Sequence, residues 1–121
     1  MSTRFRLGIS LVSACLAIAF TGSAQAAVTV IGGGLARSCY VAVEFHKIST
    51  ERAIDVCSLA LEQESMSIHD KAATYANRGI LEMRSGRNER ALMDYERSLK
   101  MMPTLTEAKV NLGAALYALK R

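Results

Sequence analysis

Residues 72–105 read AATYANRGILEMRSGRNERALMDYERSLKMMPTL, and the fold turns on that stretch. Tyr75, Gly79 and Met83 fall four apart and therefore share one face of a helix. Ala91, Tyr95 and Ser98 fall at i, i+4 and i+7 and share one face of a second helix. Ser85-Gly86 supplies a tight corner between the two, and Pro103, the only proline of the chain, closes the second. Small residues at Gly79, Ala91 and Ser98 let the two backbones approach, while Tyr75, Leu92, Tyr95 and Leu99 fill the space around them. Apolar and small residues at helical spacing mark a core.

This pattern resembles a tetratricopeptide repeat (TPR), a helix–turn–helix unit of 34 residues. With Ala72 at position 1, Tyr75 stands at the aromatic position 4 and Gly79 at the small position 8. Ala91, Tyr95, Ser98 and Pro103 then occupy positions 20, 24, 27 and 32. Two positions depart from the pattern: Arg78 replaces the position-7 leucine and Glu82 the position-11 aromatic.

A unit of this kind cannot bury its own apolar face, so neighbours are expected. Asn77-Arg78-Gly79 recurs as Asn111-Leu112-Gly113, and 111 − 77 = 34. Toward the amino terminus, Ala53, Cys57 and Ala60 repeat the spacing of Ala91, Tyr95 and Ser98 with a longer offset, 91 − 53 = 38. The expectation is an all-α, TPR-like helical-hairpin solenoid of about five helices over residues 37–121. It comprises repeats at about 34–71 and 72–105 and a closing helix over 106–121.

The chain begins with the order of a secretory signal peptide. Arg4 and Arg6 precede an apolar run from Leu7 to Phe20, and Ala24-Gln25-Ala26 supplies an A-x-A cleavage site. Cleavage is expected after Ala26, so residues 1–26 are set aside, and the short run rich in Gly, Ser and Ala does not suit a span of ~20 residues. Val12-Ser13-Ala14-Cys15 resembles a lipobox, which makes a lipid anchor at Cys15 the minor alternative to free export, and the expected location is the periplasm. No integral span is expected once the leader is gone.

The remaining 121 − 26 = 95 residues carry 13 basic and 11 acidic side chains, a net charge of +2. Basic residues interspersed with acids, and no basic stripe with aromatics, argue against nucleic acid. Residues 27–36 read as an extended arm or linker, because Val28 and Val30 favour extended geometry and Gly32, Gly33 and Gly34 break it. Those glycines lack the lysine and hydroxyl of a phosphate-binding loop.

A first helix is expected from about Leu35 to Lys47 and a second from Ser49 or Thr50, with Ser65 to His69 as the linker to the central repeat. Thr104 and Glu107 form a threonine-x-x-glutamate capping box for the last helix.

Cys39 and Cys57 remain after export, and an oxidising compartment favours their pairing. In the alignment to the repeat pattern they lie on the two antiparallel helices of the first repeat. A bridge there closes an 18-residue span, 57 − 39, worth roughly 3 kcal/mol by the chain-entropy model. Two buried free thiols are the alternative.

No C-x-x-C is present, His46 and His69 lack ligand-like spacing with the cysteines, and Glu62 and Glu64 read as solvated. No serine–histidine–acid set or carboxylate pair suggests catalysis. No metal or cofactor is expected, and the chain is read as no enzyme.

The resemblance implies a concave groove, lined by the first helix of each repeat, that binds a peptide segment of another protein. Position 6 faces it, at Asn77 and Asn111, where an amide offers donors and an acceptor to an extended backbone. Ile80, Met83 and Arg84 would flank Asn77, and Ala114 and Tyr117 would flank Asn111. Tyr75, Gly79, Ala91, Tyr95, Ser98, Pro103, Leu112 and Gly113 are expected to be structural.

The expected function is therefore a protein–protein adaptor of the cell envelope. The alternatives are a self-associating structural protein, a homo-oligomer joined through the uncovered last helix, and a non-catalytic subunit of an envelope enzyme.

Overall fold

The computed structural model describes residues 25–121, so residues 1–24 of the leader, Cys15 and Ala24 among them, lie outside the described residues. Within them the protein is all-α, with helices α1 (Gly34–Phe45), α2 (Thr50–Gln63), α3 (Ile68–Arg84), α4 (Asn88–Met101) and α5 (Thr106–Ala118). Each helix packs on its successor. In addition α1 touches α3 and α3 touches α5, whereas α2 and α4 do not meet. The helices thus form two layers, α1, α3 and α5 in one and α2 and α4 in the other. The longest helix, α3, touches all four others.

Local chemistry sets the helix ends. Ser67 caps α3 by accepting the Asp70 N–H at 3.1 Å, so this helix starts at Ile68 and the linker before it shrinks to residues 64–67. At the other end Gly86 takes φ +75°. The N–H groups of Gly86 and Arg87 reach back to the carbonyls of Met83 and Glu82 at 2.9 and 2.8 Å. This is a Schellman closure, and its left-handed residue suits glycine. The first helix stops at Phe45 rather than Lys47, because His46 turns left-handed at φ 52°.

The capping box expected at Thr104 does not form. Pro103 and Thr104 occupy the middle of a turn closed by the Leu105 N–H on the Met102 carbonyl at 3.1 Å. Leu105 is buried beside that turn, so the helix begins one residue later, without a side-chain cap.

The core runs through both layers. Tyr95, Ile80, Leu81, Val30 and Val43 are its largest fully enclosed apolar side chains. Ser98 ties α4 to α3 by donating to the Ala72 carbonyl at 2.8 Å. Cys39 and Cys57 are disulfide-bonded with their Cα atoms 4.8 Å apart, joining α1 to α2, and both are fully buried. Tyr95 is the floor on which α3 rests: a Cβ built on Gly79 would meet its ring at 2.6 Å. Gly113, the equivalent residue 34 positions on, has open space around it, which corrects its expected packing role.

Two measurements check this packing. Gly79→Ala should lose about 1–3 kcal/mol by overpacking against Tyr95, whereas Gly113→Ala should gain about 0.5–1 kcal/mol from helix propensity. Urea unfolding of the two variants reads the opposite signs. Cys39→Ala/Cys57→Ala should lower stability by about 3 kcal/mol, and adding reductant should then change nothing further.

Candidate functional site

The alternation that begins at Val28 is used in full. Residues 25–33 have no regular secondary structure and run extended across the layer of α1, α3 and α5, with Val28 and Val30 buried and Thr29 and Ile31 exposed. On α3, the Asn77 amide clamps one residue of this arm. Its Oδ1 accepts the Val28 N–H at 2.8 Å, and its Nδ2 donates to the Val28 carbonyl at 2.8 Å. On α5, Asn111 repeats the clamp two residues earlier, accepting the Ala26 N–H at 3.2 Å and donating to the Ala26 carbonyl at 2.9 Å. Both asparagines are fully buried. Two clamps two residues apart fit a strand, whose successive residues point to opposite sides.

The far end of the arm is held by a carboxylate. Asp70, in the first turn of α3, accepts the Ile31 N–H at 2.9 Å and the Gly32 N–H at 2.8 Å. A Cβ on Gly32 would lie 2.8 Å from Asp70 Oδ2, the very oxygen that accepts its N–H, so the approach favours a glycine. Arg37 of α1 donates to the Val30 carbonyl at 2.8 Å.

Burial opposes ionisation of Asp70. The Ile31 N–H, His69 and the Gly32 N–H outweigh that opposition and hold its carboxyl below the ordinary value of 3.8. Just beyond the arm, Glu64 caps α1 by accepting the Ala36 N–H at 2.8 Å, which corrects its reading as a solvated side chain.

The energetics of the arm are nearly balanced. Burying two valines contributes about 2 kcal/mol each, and six hydrogen bonds to Asn77, Asn111 and Asp70 contribute about 1 kcal/mol each. Ordering residues 26–32 costs about 1–2 kcal/mol apiece, a sum of the same size.

The residues named from the sequence fall into three groups. Asn77 and Asn111 meet on the arm. Ile80 has no exposed surface while the arm is seated, Met83 is half-buried against the core, and Arg84 donates to the Val43 carbonyl of α1 at 3.0 Å. Ala114 is half-buried and Tyr117 is 86% exposed, so Tyr117 makes no part of the clamp. Sequence reading missed Asp70 as a backbone acceptor. The Ser67-x-x-Asp70 spacing was the available signal, since it fixes the carboxylate at a helix start.

The two departures at Arg78 and Glu82 find partners. Arg78 makes a two-pronged pair with Asp94, 2.8 Å on each side, and its guanidinium is held above its usual value by that carboxylate. Glu82 pairs with Arg87, which also reaches Glu51 at 3.2 Å. Both positions open onto a cleft of about 480 Å³ over α3, where α2 and α4 stand apart. The missing contact between those helices leaves room for charge where a closer packing would demand apolar residues.

In comparisons with known proteins the chain matches no family model, no curated protein and no solved structure.

The depressed Asp70 carboxyl makes arm seating pH-dependent. Its contribution is present above the ordinary value of 3.8 and is lost as pH falls through the lower native value. Asp70→Asn should therefore lower the urea midpoint at pH 7 and flatten the loss of midpoint that the wild type shows on acidification to pH ~2.

Proposed function

We propose that this chain is a protein–protein interaction module of the bacterial cell envelope, a TPR adaptor whose α1–α3–α5 face recognises an extended peptide segment. One observation carries the reading. Asn77 and Asn111, 34 residues apart, each hold the N–H and the carbonyl of a single residue of an extended backbone. Such clamps read backbone rather than side chains, and so are suited to any strand of the right shape. The work assigned to the chain is recognition without chemistry of its own.

Export to the periplasm with cleavage after Ala26 belongs to the same proposal. The buried Cys39–Cys57 disulfide is compatible with an oxidising compartment. A chain beginning at Ala27 keeps the Val28 clamp on Asn77 and leaves the Asn111 amide for a partner. The second reading, self-association, is favoured by α5, where Val110 and Tyr117 are 53% and 86% exposed.

Capture from an envelope extract tests the first reading. Asn77→Ala/Asn111→Ala should lose recovered partner ten-fold or more, the order expected when buried amides are truncated. Recovery equal to wild type, with helicity intact, would reject the groove as the binding face.

A further inference from the structure

The arm is built like a ligand rather than like a helix of the fold. It adds no secondary structure, makes its polar contacts through its backbone, and places two β-branched side chains in the core at alternate positions. It is joined to α1 by Gly32-Gly33-Gly34, and a Cβ at Gly33 would meet nothing within 4 Å. Its seating is close to balance between burial and ordering, as derived above, so an equivalent segment at sufficient concentration can replace it.

We propose that residues 27–32 are the resident ligand of this face, and that its external ligand is an extended segment of another protein with the same pattern, which enters by displacing the arm.

The pattern can be read from the contacts. The places of Val28 and Val30 take β-branched apolar residues, because both side chains are almost wholly enclosed, at 2% and 0% exposure. The place of Gly32 favours glycine, because of the Asp70 carboxylate. The places of Thr29 and Ile31 are free, since both side chains face solvent. Proline is excluded at the places of Ala26, Val28, Ile31 and Gly32, whose N–H groups are all donated. The ligand therefore reads β-branched, any, β-branched, any but proline, glycine.

An acidic residue at either β-branched place is excluded by burial. The tethered arm competes at an effective concentration in the millimolar range, so an outside segment binds the wild type more weakly than the bare face.

This inference rests on the peptide-binding reading and narrows its ligand. The probe is a synthetic, fluorescently labelled peptide with the sequence of residues 25–34. It is titrated against wild-type protein and against Val28→Asp/Val30→Asp, in which the arm cannot seat. The variant, checked for helicity by circular dichroism, should bind the peptide at least ten-fold more tightly than wild type. A peptide with serine at both valine places should bind neither.

If the variant fails to fold, the wild type decides the matter alone: excess unlabelled peptide should accelerate amide exchange at Val28 of the protein. Equal affinity for wild type and folded variant, no binding by the folded variant, or an unchanged Val28 exchange rate would overturn the proposal. So would a wild-type dimer that disappears in the variant, since the arm would then be exchanged between copies. Extract capture separates this outcome from the broader reading. Asn77- and Asn111-dependent capture with no peptide effect would leave partner binding standing and remove only the arm as its competitor.

Discussion

A buried primary amide must have its hydrogen bonds, and two of them sit on one face of this protein. Leaving an enclosed amide unpaired costs about 1–3 kcal/mol, so Asn77 and Asn111 impose a demand on whatever lies across α3 and α5. An extended backbone meets that demand because one residue presents its N–H and its carbonyl to the same amide. The seated arm follows from this requirement, and so does the enclosure of Val28 and Val30.

The helix α3 carries the constraint. It supplies Asn77 and Asp70 to the arm, Gly79 to the contact with Tyr95, and Arg78 and Glu82 to the cleft on its other side. Three faces of one helix are thereby occupied by an extended backbone, an aromatic ring and ion pairs. The disulfide acts at a distance from this centre, fixing α1 against α2, so that the edge on which Arg37 meets the arm is held in place.

Much of this was legible in the sequence. The helical spacing of Gly79, Tyr95 and Ser98 pointed to the α3–α4 contact, because the 3.6-residue period and the size of side chains are local properties. The pairing of Cys39 with Cys57 was reachable through compartment and alignment.

The arm's destination was not legible, since the contact between Val28 and Asn77 spans 49 residues and no local period encodes it. Asp70 was invisible for the same reason, as its partners lie 38 and 39 residues away. The roles of Gly113 and Thr104 were misread where a repeat pattern was extended to the end of the stack. Among the described residues nothing lies within 4 Å of a Cβ built on Gly113, and a turn rather than a cap starts α5.

The central claim is that the arm is clamped by Asn77, and amide hydrogen exchange at Val28 measures it directly. Protection of the Val28 N–H by a factor on the order of 10 is expected in the wild type, collapsing toward the unstructured rate in a folded Asn77→Ala. Exchange at the unstructured rate in the wild type, or protection that survives removal of the Asn77 amide, would contradict it.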